Sequence, residues 1–390
     1  MKNPSRWLLM LALVLAAINL RPGITSFAPL IERIAEELSL SRSVISLTTA
    51  LPVLLMGLLA PLAPRLAVRF GLERTISLCL GLIGLALLLR LFGKSAPVLI
   101  GTAAMVGAGI AVAGPLLSGF IKRYFLEQMG KTAAYYSLSM AVGGTIGVVL
   151  TAPAAELLGQ RWTWGLALWA IPAVLALLIW WRLPNQSEPA VESRAGLPWR
   201  EPRAWLVSIY FALQAGLFYA LATWLVARYH EVGFSLLQSN AFFSGFMLIG
   251  LPSAFIMPWL AQRFGRRHLL MACCGVLATV CLLVIAWLPQ VNPLLVCMLL
   301  GVALNGTFSM SLVLPMYEAN SPLAVSRLTA MMLCTGYCLA CFTPVLTGLG
   351  RDIAGDYREP FLVLATMSAA MSLLALRLAP RRDLSAATTP

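Results

Sequence analysis

Twelve times along this chain a stretch of 18 or more residues passes with almost no charge, and that repetition restricts the fold more than any other feature. The stretches run over 7–30, 43–63, 75–93, 96–120, 132–155, 164–183, 203–227, 238–261, 268–288, 292–316, 324–349 and 360–379. Each can cross about 30 Å of hydrocarbon as a helix rising 1.5 Å per residue. Backbone amides inside a bilayer must be satisfied within their own segment, so runs of this length form helices. Charged residues are only 11% of the 390 positions, while 60% are hydrophobic; a soluble domain carries about 25% charged residues. No water-soluble core can bury that much apolar surface. The sequence predicts an all-α membrane protein with twelve transmembrane helices.

Lys2 and Arg6 ahead of the first run resemble the start of a signal peptide. No small-x-small cleavage pattern follows, and the run is long enough to span, so it is expected to stay as the first helix. The net charge of +13 could point to nucleic acid, but its distribution points to a membrane instead. With the N-terminus placed inside, nineteen of the 28 Lys/Arg fall in inner loops and tails, eight fall outside, and Arg21 stands within a span. The acidic residues divide almost evenly, as expected when Lys/Arg alone set orientation. Both termini are therefore expected in the cytoplasm, with membrane lipids as partners and no nucleic acid. All eight cysteines lie in apolar segments; Cys334, Cys338 and Cys341 share a helical face but have no histidine beside them. They read as packing residues, with no metal and no cofactor expected.

The stretch Pro184–Pro202, with five charges and four prolines, interrupts the apolar pattern and divides it six and six. The expected organisation is an N-terminal six-helix half over 1–183, a cytoplasmic linker over 184–202, a C-terminal half over 203–380 and a tail over 381–390. The halves echo each other. Pro64-Arg-Leu-Ala-Val-Arg-Phe-Gly71 follows the second span, and Pro258-Trp-Leu-Ala-Gln-Arg-Phe-Gly265 follows the eighth, matching at six of eight positions. Parallel six-helix repeats place a substrate site between the halves near the midplane. Arg69, Gly71, Arg263 and Gly265 of these short loops are candidates for gripping the neighbouring half or lipid headgroups. Orientation by positive charge alone is the equal alternative.

Arg21 is the outstanding polar residue. It lies in the first span, with no carboxylate in that run before Glu32. An unpaired arginine at bilayer depth costs at least ~2.5–3.5 kcal/mol, which marks it as functional by default. Fourteen residues past Trp7, or about 21 Å along a helix, it sits beyond the midplane. Pro22 removes a backbone donor and bends the helix there. A planar fork for a carboxylate-like or amide-like ligand is the functional reading; an arginine capping carbonyls of a neighbouring helix is the structural one. Asn19 serves either the ligand or an interhelical bond. Gln214 and Tyr219, from the other half, are candidates to complete the site. No Asp, Glu or His lies deep in any span, and Glu32 and Glu318 at span ends are the nearest candidates for carrying a proton.

The six-plus-six plan with its repeated loop resembles the major facilitator superfamily, whose loop motif reads Gly-x-x-x-Asp-Arg-x-Gly-Arg-Arg. Arg69-Phe70-Gly71 and Arg263-Phe264-Gly265-Arg266-Arg267 match, while Val68 and Gln262 stand where that motif has Asp. More specific strings resemble the cyanate/nitroimidazole transporter family: Asn19-Leu20-Arg21-Pro22 with Thr25-Ser26, Thr49-Ala50-Leu51-Pro52, Arg90, Ile121-Lys122-Arg123-x-Phe125, Gln214, Tyr219, Trp224-Leu225 and Gly336-Tyr337. The resemblance implies a secondary or facilitative transporter of a small anionic or polar nitrogen-containing solute, working by alternating access as a monomer in a bacterial inner membrane. It keeps Arg90 among the substrate-binding candidates against the alternative of interfacial snorkelling beside Lys94. It adds Asn305, which stands where relatives tend to have Gly; conversely Gly114 and Leu333 stand where they often have amides. A multidrug exporter of the same fold is the alternative, favoured by 16 Met and 16 Phe and opposed by the lack of a buried acid. No nucleophile or His/Asp cluster supports an enzyme. The glycines of the fourth and fifth spans (Gly101, Gly107, Gly109, Gly114, Gly143, Gly144, Gly147) read as surfaces for close helix approach.

Overall fold

The computed structural model describes residues 5–27, 30, 33–34, 37–39, 42–159, 161–185 and 196–379. Residues 186–195 of the connection over 184–202, the tail over 381–390 and Glu32 lie outside the described residues. Every described element is helical. Eleven helices are long and apolar enough to cross a membrane, and a bent pair, Leu51–Leu59 with Leu62–Phe70, makes the twelfth. Six precede the connection and six follow it. Numbered in chain order, spans 1 to 12 are Arg6–Thr25, the bent pair, Leu72–Phe92, Ala96–Tyr124, Leu126–Leu157, Trp162–Trp181, Pro202–Glu231, Leu237–Phe264, Arg267–Trp287, Pro293–Glu318, Pro322–Ala354 and Arg358–Arg377.

Two spans bend where the sequence removes backbone donors. Span 1 comprises Arg6–Asn19 and Pro22–Thr25, broken at Leu20 and Arg21. Proline at position 22 cannot donate to the carbonyl of Ile18, so the helical ladder stops there. Span 2 turns by 63° between Leu59 and Leu62, next to Pro61 and ahead of Pro64. Its Pro52 lies within the longer helix, and its backbone packs directly against Gly107 of span 4 (Ala96–Tyr124).

Glycines let the spans of the first half pack closely around these bends. Gly143 and Gly147 of span 5 (Met129–Leu157) face span 1, where a Cβ would overlap the Ile18 carbonyl oxygen and the Thr25 hydroxyl respectively. Gly109 is pressed against Ile83 and the Cys79 carbonyl of span 3. Gly101 and Gly114 depart from this pattern: nothing lies within 4 Å of a Cβ at Gly101, and only Leu333 at 3.7 Å meets one at Gly114. Small residues permit close approach only on the face where a neighbouring helix crosses.

The internal repeat reaches beyond the loop. The 194-residue offset between Pro64 and Pro258 carries Glu73 onto Arg267, Arg123 onto Tyr317 and Tyr124 onto Glu318. In the first half Glu73 accepts from Arg123 at 2.9 Å and from the Tyr124 hydroxyl at 2.9 Å. In the second, Arg267 donates to Glu318 at 2.9 Å and lies over the Tyr317 ring at 4.5 Å. The same contact between neighbouring spans is thus built with opposite charge placement. Glu318 is further held by Arg203 at 2.8 Å. Its ion pairs therefore occupy the carboxylate that the sequence suggested as a rim proton carrier.

Glu73 also corrects the expected start of span 3. The helix begins at Leu72, so this carboxylate lies inside the packed end of the span, 1% exposed. Its arginine and tyrosine partners make that burial tolerable. Replacing Glu73 with Ala removes a buried acceptor shared by Arg123 and Tyr124. It is expected to lower stability by about 3–5 kcal/mol, read as a fall in the Tm of the detergent-purified protein. The triple exchange Glu73→Arg, Arg123→Tyr and Tyr124→Glu copies the C-terminal arrangement and should recover part of the loss; an unchanged Tm in the single variant would contradict the buried pair.

Candidate substrate cavity between the halves

A cavity of about 430 Å³ lies between the two halves. The first half contributes Arg21 and Thr25 of span 1, and Ser137, Met140, Gly144, Thr145 and Val148 of span 5. The second contributes Gln214, Phe218 and Tyr219 of span 7 (Pro202–Glu231), Phe243, Met247 and Leu251 of span 8, Asn305, Phe308 and Ser309 of span 10 (Pro293–Glu318), and Tyr337 of span 11. Four of the six expected binding residues therefore line one space: Arg21, Gln214, Tyr219 and Asn305.

The break in span 1 presents Arg21 to this cavity. Its own carbonyl is taken by the amides of Ile24 and Thr25 and by the Thr25 hydroxyl. The stem passes Gly144, where a Cβ would lie 3.6 Å from Arg21 Cβ. The guanidinium reaches across to the second half and lies 5.6 Å from the centre of the Phe308 ring. Among the described residues no hydrogen bond or ion pair engages it, and no carboxylate lines the cavity. The result is a half-buried positive charge with its donors free, facing a largely apolar and aromatic wall that also carries the amides of Gln214 and Asn305.

Across from it, Gln214 is fully buried and donates to the Leu304 carbonyl at 3.1 Å, while its Oε1 has no partner. Asn305 donates to the Gly301 carbonyl at 3.0 Å and packs against Gly250, where no side chain would fit. Both amides are oriented by the backbone of span 10. Tyr219 and Tyr337 stand with ring centres 6.4 Å apart. Phe308, Phe243 and Ser137 were not anticipated as lining residues. For Phe308 a signal existed: Asn305, Phe308 and Ser309 follow the i, i+3, i+4 spacing of one helix face.

Asn19 and Arg90 are not among the lining residues, and the reason is visible in each case. Asn19 is buried and donates to the carbonyls of Leu15 at 2.7 Å and Pro172 at 3.0 Å, tying span 1 to span 6. Two residues from Arg21 is about 200° around a helix, so the two side chains leave on different faces. Arg90 does not snorkel to the interface. It is fully buried, donates to the Gly23 carbonyl at 2.8 Å and lies 4.4 Å from the Phe27 ring. It holds the segment just after Arg21 from behind, so its position supports the bend.

The loop residues also fall away from the expected contact between halves. Arg69 and Arg263 are exposed and each lies over a ring of its own helix, Phe70 at 5.2 Å and Trp259 at 5.7 Å. Gly71 and Gly265 have φ of +87° and +64° and end their helices, a backbone shape that glycine adopts without strain. The halves meet instead where Lys122 donates to the Met316 carbonyl at 3.0 Å, where Gln262 packs on Gly130, and where Pro322 and Ser326 pack on Gly119. All of these lie toward the Lys/Arg-rich ends of the spans. These contacts lie to one side of the cavity.

Comparison with known proteins agrees with this helical fold. The family model "Major Facilitator Superfamily" matches residues 8–342. The chain belongs to this superfamily. It is 32% identical over 377 residues to the cyanate transport protein CynX of Escherichia coli (strain K12), covering 96% of this chain and 98% of the relative. It is 28% identical to the 2-nitroimidazole transporter of the same organism, covering 96% of each. Among solved structures, the Escherichia coli fucose:proton symporter FucP aligns with a TM-score of 0.77 at 14% identity, over 96% of this chain and 98% of that one. The proton:xylose symporter XylE aligns at 0.78 and 12% identity, over 96% of each. At those identities the solved structures establish the fold alone. As a member of this superfamily the protein is a multi-pass membrane transporter and not an enzyme.

Proposed function

We propose that the protein carries a small anionic or polar nitrogen-containing solute across the bacterial inner membrane by alternating access, as a monomer, with Arg21 as the group that receives the solute's negative or electron-rich edge. The observation that carries this reading is the guanidinium of Arg21, exposed to the cavity with no carboxylate lining it. Such a charge is stabilised when the ligand supplies the counter-charge. Gln214, Tyr219 and Asn305 of the opposite half complete the grip, so binding draws the halves together. A relative named for cyanate and another named for 2-nitroimidazole support the solute class.

The orientation follows from the Lys/Arg asymmetry: both termini and the 184–202 connection between the 1–183 and 203–380 halves are placed in the cytoplasm. The end where the halves meet is then the cytoplasmic one, and the cavity faces outward. Glu73 and Glu318 are both engaged in ion pairs, and among the described residues no acid lines the cavity, which favours facilitated diffusion or anion exchange over proton coupling. In proteoliposomes, initial uptake of radiolabelled cyanate should be equal with and without an imposed pH gradient. A gradient-driven acceleration of several-fold would establish proton coupling instead. No uptake above protein-free vesicles for cyanate, 2-nitroimidazole or other small anions would remove the reading altogether. The multidrug-exporter alternative draws on the aromatic and methionine wall; it predicts that neutral lipophilic compounds compete as well as anions do.

A further inference from the structure

We propose that this cavity selects planar aromatic monoanions of about one ring, with the charged edge on Arg21 and the ring against the aromatic wall of the second half, and that Phe308 sets the preference. This rests on the anion-carrier reading above and narrows it.

Size is the first reason. The cavity of about 430 Å³ would hold a dozen or more waters at roughly 30 Å³ each. A triatomic anion would leave most of that volume wet, and hydration weakens every charge contact inside it. Charge is the second. Among the described residues Arg21 is the one cationic side chain lining the cavity, so it matches a single negative charge.

Shape is the third. A carboxylate held in the guanidinium fork is coplanar with it, and in an aryl carboxylate the ring continues close to that plane. The wall it meets is made of Phe218, Tyr219, Phe243, Phe308 and Tyr337. Two of these rings are fixed from behind: fully buried Phe211 packs on Phe308 at 6.2 Å and on Tyr337 edge-on at 5.4 Å. Gly336 provides the room for Phe211, since a Cβ there would overlap its ring. Rings held in place before the ligand arrives lose little entropy on binding. Phe308 also touches the guanidinium itself, so it sits where the charged edge joins the ring.

Binding to the full-length protein in detergent would be measured by calorimetry with benzoate, cyclohexanecarboxylate, benzamide and cyanate. Benzoate is expected to bind roughly three- to tenfold tighter than cyclohexanecarboxylate, the increment of an aromatic pairing, and at least tenfold tighter than cyanate or neutral benzamide. Phe308→Leu should erase the preference for benzoate over cyclohexanecarboxylate while both remain dependent on Arg21. Equal binding of the two carboxylates, or cyanate binding tightest, overturns the aromatic selection; if that binding is still lost in Arg21→Gln, the anion-carrier reading survives. Absence of any anion binding, with benzamide equal to benzoate, overturns both. Should Phe308→Leu fail to fold, the wild-type series decides without it.

Discussion

Arg21→Ala is expected to reduce transport at least thirtyfold while the purified protein keeps a normal Tm. The guanidinium lies in the cavity with no hydrogen bond or ion pair among the described residues and the Phe308 ring centre 5.6 Å away, so its loss removes little packing. A substitution of that kind changes stability by no more than about 1 kcal/mol. Its ligand would lose a charge-assisted contact worth about 2 kcal/mol or more, which is the stated thirtyfold. Arg21→Lys should fail almost as badly, because an ammonium cannot offer two parallel donors to a planar group. Initial uptake rates in proteoliposomes, set beside thermal unfolding of the same preparations, separate the outcomes. Normal transport in Arg21→Ala would remove the anion clamp. A collapsed Tm would make Arg21 structural.

Gly143→Leu should have a large effect on folding. A side chain at this position meets the Ile18 carbonyl oxygen, a backbone atom with no freedom to move aside. Forcing it in costs about 3 kcal/mol, the upper part of the usual range for overpacking, or a fall in Tm of roughly 5 °C or more for a chain this size. The same substitution at Gly101, where nothing lies within 4 Å, should leave Tm unchanged. Two glycine-to-leucine changes in neighbouring glycine-bearing spans thus have opposite outcomes. Equal effects would mean that span 5 does not rest on span 1 as described.

These two positions also show how far the sequence could be read. Arg21 was legible because its cost at bilayer depth is high and local: one charge, one proline beside it and no carboxylate nearby. The twelve spans were legible for a similar reason, since hydrocarbon accepts only long segments that satisfy their own backbone. The loop repeat announced the two halves. Its reach into the Glu73–Arg123 and Arg267–Glu318 pairs was not visible, because the charges are exchanged and the identities do not match. For Asn19 and Arg90 the sequence leaves a ligand contact and a structural role open. Neighbours in sequence or in family pattern, they leave their helices on other faces and bind backbone carbonyls of Pro172 and Gly23.

The sequence alone determined that this chain lives in a membrane as twelve helices in two related halves, and that one arginine in the first of them demands an explanation. Length, hydropathy and charge are properties of segments, and segments carry them before any folding. Only the tertiary structure decided what surrounds that arginine. It showed that Gln214, Tyr219, Asn305 and Phe308 share its cavity, that Arg90 holds the bend from behind, and that Gly143 makes room for the bend at all. Each of those facts depends on the rotation of one helix against another, and a change of about 100° per residue moves a side chain from cavity to core with no change in composition.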